Sequence, residues 1–139
     1  MTITLHLRIV GLMLIGLAIM GLFLPRKFNW REEAQHLSLL NRQILYVHNA
    51  FIILLLLMFA GLALLCTHAL LDPHPVARAV LGGIAGFWLL RLIIQWFVYD
   101  PSLWRGKTFE TAMHFVFSGV WVYFSGTFAW ALWINLQRA

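Results

Sequence analysis

The sequence predicts an all-α integral membrane protein: four transmembrane helices in an up-down antiparallel bundle, with an interfacial amphipathic helix between helices 1 and 2. Three observations carry that prediction. Hydrophobic residues make up 62% of the 139 positions and charged residues 11%, against roughly 45–50% and 25% in soluble domains. The chain holds four apolar runs, each near the ~20 residues a helix needs to cross hydrocarbon. The connections between them are short, which makes successive helices antiparallel neighbours. Disorder needs the opposite composition, and Glu and Lys are too few for a coiled coil. The whole chain, 1–139, reads as a single transmembrane domain.

The first span covers about residues 3–24, with His6 and Arg8 near its start and Pro25-Arg26-Lys27 directly after it. Positive charge after the apolar run, with no small-residue cleavage site, reads as a retained span with its N-terminus outside. The following stretch, about 29–42, carries Asn29 and Glu32 at capping-box spacing, then Trp30, Ala34, Leu37 and Leu40 at helical intervals. This is the pattern of an amphipathic helix lying in the interface. The second span covers about 44–67; its residues from Ile52 to Leu65 are entirely non-polar. The third, about 76–98, is interrupted by Arg91 and Gln95, and the fourth covers about 112–136. Asp100-Pro101 opens the last connection as a helix start with Pro at the first position.

Packing signals accompany the spans. Gly82 and Gly86 form a GxxxG pair, and Ser118-Gly119 recurs as Ser125-Gly126 seven residues later; such small residues let helices approach closely. Trp30, Trp104, Trp130 and Trp133 fit two aromatic belts, whereas Trp88, Trp96 and Trp121 fall deeper and read as bulky packing.

Charge sets the expected orientation. Arg26, Lys27, Arg31, Arg42, Arg105 and Lys107 in the first and third connections outnumber Arg8, Arg78 and Arg138 on the opposite side. Both connections are therefore expected in the cytoplasm and both termini outside, in a bacterial inner membrane. The net charge of +5 reads as orientation and contact with the bilayer's anionic lipid, not as nucleic-acid binding.

The polar residues within the spans point to a site. His48, Asn49, Arg91, Gln95, His114 and Ser118 all fall in the cytoplasmic halves of their helices. His48 and His114 lie about 6 Å in and Arg91 about 10 Å in, at 1.5 Å per residue. A charge at that depth costs about 2.5–3.5 kcal/mol, and arginine cannot escape it by deprotonating. No carboxylate lies within a span at that depth, so neutral side chains or an anionic ligand must satisfy Arg91. Arg91 and Gln95 share a helix face, as do His114 and Ser118.

Several functions fit this pattern. The leading one is a small non-catalytic protein, an accessory or scaffold subunit or a binder of an anionic lipid or small ligand at this polar site, with a membrane-protein partner or a homo-oligomer as its context. The alternative is a redox protein binding haem b or a quinone, with His48 and His114 as haem ligands from two helices. The third is an oligomeric small-solute transporter, although the polar face stops halfway across. No catalytic residues are expected: a Ser118/His114 dyad lacks a third group to orient the base. No metal site is expected, since His6, His68, His74 and Asp72 read as solvated residues of the outer face. The lone Cys66 forms no internal disulfide.

Overall fold

The computed structural model describes residues 2–27 and 29–138. The described residues are helical, with no strand, and four of the helices are long and apolar enough to cross a membrane. They are α1 (Thr2–Lys27), α3 (Leu39–Leu65), α5 (Pro75–Phe97) and α6 (Thr108–Gln137), joined by the shorter α2 (Trp30–Glu33) and α4 (Thr67–Leu71). The chain forms two compact units. One is Arg8–Cys66; the other gathers Met1–Leu7 with Thr67–Ala139. The termini themselves, Met1 and Ala139, lie outside the described residues, as does Phe28.

The Arg8–Cys66 unit is a helical hairpin. A Cβ on Gly11 would lie 2.5 Å from Leu64 Cγ, and one on Gly21 would lie 3.1 Å from Ile53 Cγ1. Moving ten residues up α1 thus moves eleven residues down α3, so the two run antiparallel, with glycine where they approach most closely. These contacts fall outside the GxxxG pair singled out in the sequence. A Cβ on Gly82 would sit 3.6 Å from Leu132, an ordinary contact, and one on Gly86 would meet nothing within 4 Å. Among the described residues, Gly82 and Gly86 thus show no approach as close as those at Gly11 and Gly21.

The connection in this unit corrects one expectation. No continuous amphipathic helix spans 29–42. A single α-helical turn, α2, is followed by a 3-10 turn, Ala34–His36, and Leu37 is extended. Ser38 then caps α3, its Oγ accepting from the Asn41 N–H at 3.3 Å, so α3 starts five residues before the expected Ile44. The capping box fails for a local reason. Asn29 has φ 48° and ψ 37°, left-handed, and its side chain makes no cap bond; an N-cap residue needs extended backbone to aim its side chain at the helix.

The second unit is organised by α5 and α6. The buried positions of α5 are Ala77, Leu81, Ile84, Trp88 and Gln95, and those of α6 include His114, Ser118, Trp121, Phe128, Ala131 and Asn135. Both sets step by three, four or seven residues, one face of a helix. Trp88 stacks on Trp121 with centroids 5.0 Å apart and meets Phe124 edge-on at 4.9 Å, so these two deep tryptophans are packing, whereas Trp96 is exposed. His6, at the start of α1, bonds the Tyr123 hydroxyl at 2.8 Å and meets Trp130 edge-on.

One end of this unit is locked by Asn135, which is fully buried. Its Nδ2 donates to the carbonyls of Leu70, at 3.0 Å, and Asp72, at 2.6 Å, while its Oδ1 accepts from Arg78 Nε at 3.0 Å. The amide thus ties α6 to α4 and to the start of α5. There His74 caps the helix by accepting from the Val76 N–H at 3.3 Å, with Pro75 at the first position. Replacing Asn135 by leucine strands three partners, of which Leu70 is buried and Arg78 half-buried, and the expected cost is about 2–3 kcal/mol. Equilibrium unfolding in mixed detergent micelles measures it; substituting the exposed Gln137 should stay within about 0.5 kcal/mol.

Candidate functional site

The site is built where α5 ends and α6 begins. After Phe97 the helix stops, and Asp100 starts a 3-10 turn, Pro101–Leu103, its Oδ1 accepting from the Ser102 N–H at 2.8 Å. That backbone hydrogen bond holds the Asp100 carboxyl below its ordinary range, with the Ser102 side chain adding to the effect. Gly106, at φ 79°, then takes a left-handed turn that L side chains resist. The Thr111 hydroxyl donates to the Trp104 carbonyl. Together these features fold Trp104 back onto α6. Its ring stacks on His114 with centroids 4.3 Å apart and planes 10° from parallel.

His114 is 5% exposed and sits on the buried stripe of α6. Trp96 meets it edge-on at 4.9 Å, and Phe115 at 5.7 Å. Its Nδ1 lies 3.1 Å from Gln95 Nε2, while Gln95 Oε1 accepts from Arg91 Nη1 at 3.2 Å. The direction of this chain follows from arginine. A guanidinium only donates, so the amide oxygen must face Arg91 and the amide NH2 must face the imidazole. Nδ1 is therefore an acceptor, and the neutral ring carries its proton on Nε2. That Nε2–H is buried and has no hydrogen-bond partner among the described residues.

Arg91 is half-buried, and its Cζ lies 5.5 Å from the Tyr99 ring and 5.2 Å from the Trp121 ring. Tyr99 follows the end of α5, so the guanidinium is drawn toward that end of the helix, as a snorkelling cation is. Cation–π contacts contribute about 0.5–2 kcal/mol each, which with the Gln95 bond offsets the roughly 2.5–3.5 kcal/mol cost of the charge. Beyond Gln95 Oε1, the guanidinium has no hydrogen-bond acceptor among the described residues. Leu92, Ile93, Trp96, Phe115, Ser118 and Val122 help line an apolar groove of about 520 Å³ between α5 and α6, and Arg91 is not part of its lining.

Of the six residues singled out by sequence, three form this chain: Arg91, Gln95 and His114. Ser118 is buried nearby, but its Oγ donates to the His114 carbonyl at 2.8 Å, an ordinary helical back-bond. It does not face the imidazole as a nucleophile would. His48 and Asn49 belong to the other unit, on α3. His48 is exposed, and half-buried Asn49 donates from Nδ2 to the Gly21 carbonyl at 3.4 Å. Among the described residues no three His, Cys, Asp or Glu gather as metal ligands; His6 is engaged with Tyr123 and His74 with its helix cap.

Sequence reasoning missed Trp104 as the lid on His114 and Tyr99 and Trp121 as the flanks of Arg91. It also missed Asn135, whose signal was available: Asn135 continues the three-and-four spacing of His114, Ser118, Trp121, Phe124, Phe128 and Ala131. Comparison of the chain with protein-family models, with curated proteins and with solved structures finds no match.

The chain of bonds predicts a specific sensitivity. Gln95→Leu leaves the Arg91 donor and the His114 acceptor both without their partner. It should lower unfolding stability in detergent micelles by about 2–3 kcal/mol, whereas Gln43→Leu, at an exposed position of α3, should change it by less than about 0.5 kcal/mol.

Proposed function

We propose that this is a non-catalytic integral membrane protein that binds an anionic lipid through Arg91 and acts as an accessory or scaffold component of the membrane. The carrying observation is the guanidinium itself. It sits within a membrane-spanning helix, is drawn toward the end of that helix, and has a single hydrogen-bond acceptor among the described residues. Arginine offers five N–H donors, so four are left for a ligand. A lipid phosphate supplies the acceptors and the missing negative charge at once.

Native mass spectrometry tests this on protein extracted from membranes containing phosphatidylglycerol. The wild-type chain should retain the lipid. Arg91→Leu should retain about tenfold less, the equivalent of one lost charge-assisted contact, and Arg105→Leu, at an exposed position, should retain as much as wild type. Equal retention by wild type and Arg91→Leu would overturn the lipid reading.

The orientation we propose places the first and third connections in the cytoplasm and both termini outside, with the four spans forming one up-down bundle in a bacterial inner membrane. The Lys/Arg bias supports it. In a Cys66-free background, a cysteine at position 72 should react with an impermeant maleimide in intact cells, while one at position 107 should not; the reverse labelling pattern overturns the orientation.

A second reading is supported by the buried Nε2–H of His114. A donor without a partner suits a carbonyl, and a quinone presents one between aromatic rings such as Trp96 and Trp104. The same polarity argues against a haem ligand. Coordination needs a bare Nε2 and a proton on Nδ1, but Gln95 can accept that proton only by turning its NH2 toward Arg91, donor against donor. Extraction and chromatography of the purified protein's lipids separates quinone from phospholipid, and an absorption spectrum with a Soret band would reinstate haem.

A further inference from the structure

The Arg8–Cys66 unit holds a second polar feature, unrelated to the Arg91 chain. Where α1 ends and α3 begins there is a cavity of about 770 Å³, lined by Arg26, Asn29, Arg31, Gln35, Arg42 and Tyr46, with Pro25 at its edge. Ligand pockets commonly measure about 300–1,000 Å³. Its walls follow from local backbone chemistry. Asn29 takes a left-handed conformation, so the chain turns sharply just after α1. The two short turns that follow are anchored by Ala34, which is 1% exposed, and end at the Ser38 cap of α3.

The charge in this cavity is one-sided. Three arginines line it, and no acidic residue does; Glu32 and Glu33 are neighbours in sequence but not part of the lining. None of the three arginines has an ion-pair or hydrogen-bond partner among the described residues. The other lining side chains, Asn29, Gln35 and Tyr46, add hydrogen-bonding groups. Three like charges around one space repel, and that repulsion is relieved by an anion of two or more charges at their centre. Guanidinium groups match phosphate oxygens in fork geometry.

We propose that Arg26, Arg31 and Arg42 form a binding site for a doubly charged phosphate group, carried either by a phosphomonoester lipid headgroup or by a soluble pyrophosphate. A singly charged diester such as phosphatidylglycerol leaves two of the three positive charges unmatched, and binds here more weakly. The site is independent of the lipid proposed at Arg91.

The experiment uses the full chain in detergent micelles and two probes: inorganic pyrophosphate by calorimetry, and phosphatidic acid against phosphatidylglycerol by native mass spectrometry. Wild type should bind at least one dianionic probe, with affinity falling as salt rises. The variant combining Arg26→Gln, Arg31→Gln and Arg42→Gln should bind it at least about tenfold more weakly. Arg31→Gln alone, at an exposed position in the connection, keeps the test open where the triple variant does not fold, and should lose about threefold or more. Binding of pyrophosphate identifies a soluble ligand; binding of phosphatidic acid alone identifies a lipid headgroup. Arg91→Leu should leave both unchanged, so a loss there and not in the cavity variants, or equal binding by wild type and the cavity variants, overturns the proposal while leaving the Arg91 reading to its own test.

Discussion

A guanidinium has no acceptor atom, and in the second unit everything around the buried polar chain follows from that. Because Arg91 can only donate, Gln95 must turn its oxygen toward it. Because the oxygen is spent, Gln95 can offer His114 only a donor. The imidazole is thereby fixed as an acceptor at Nδ1 and a donor at Nε2. One charged residue within an apolar helix sets the hydrogen-bonding pattern of a ring two hydrogen bonds away. Trp104 and Trp96 pack that ring against its face and edge, so the pattern is held by packing as well as by bonding.

The second unit carries polar groups at both ends of its α5–α6 pair and treats them differently. At one end, Asn135 is fully buried and makes three hydrogen bonds, using its oxygen and both protons of its amide. Nothing is left over, which is the mark of a structural residue in a low-dielectric site. At the other end, the guanidinium has one acceptor and the imidazole Nε2–H has none among the described residues. Between the two ends lies a stack of aromatic rings, Phe117, Trp121 and Trp88, with no charge to connect them. The contrast in hydrogen-bond completion separates a latch from a site more sharply than burial does, since His114 at 5% and Asn135 at 0% exposure are nearly alike in that respect.

Much of this was legible in the sequence. The four spans stand out because a run of apolar residues long enough to cross hydrocarbon has few other uses, and their limits in the structure differ by a few residues at each end. Arg91, Gln95 and His114 were legible as a polar group because helical spacing places Arg91 beside Gln95 and because all lie at similar depth. What periodicity cannot give is which faces meet: His114 and Gln95 are 19 positions apart, and only the turn at Asp100–Gly106 brings α6 back at the required register. The stretch 29–42 was misread because amphipathic spacing persisted in sequence while the 3-10 turn Ala34–His36 and the extended Leu37 broke the helix that the spacing implied. Asn135 was overlooked because a lone amide near a helix end reads as an exposed polar residue until its phase on the buried stripe is counted.

The two histidines that prompted the haem alternative differ in surroundings despite their similar depth. His114 is enclosed by aromatic rings and held by Gln95, whereas His48 is exposed on α3 in a unit whose other span-level polar contact is Asn49 with the Gly21 carbonyl. An axial ligand must present a lone pair at Nε2, and a hydrogen-bonded neighbour sets whether it does so. At His114 that neighbour is Gln95, whose orientation is dictated by Arg91. Redox chemistry through an iron at this ring thus requires the arginine to lose its acceptor first, whereas a carbonyl or phosphate ligand uses the donors that the arrangement already leaves open. The polarity of one amide is what ranks the ligands this site suits.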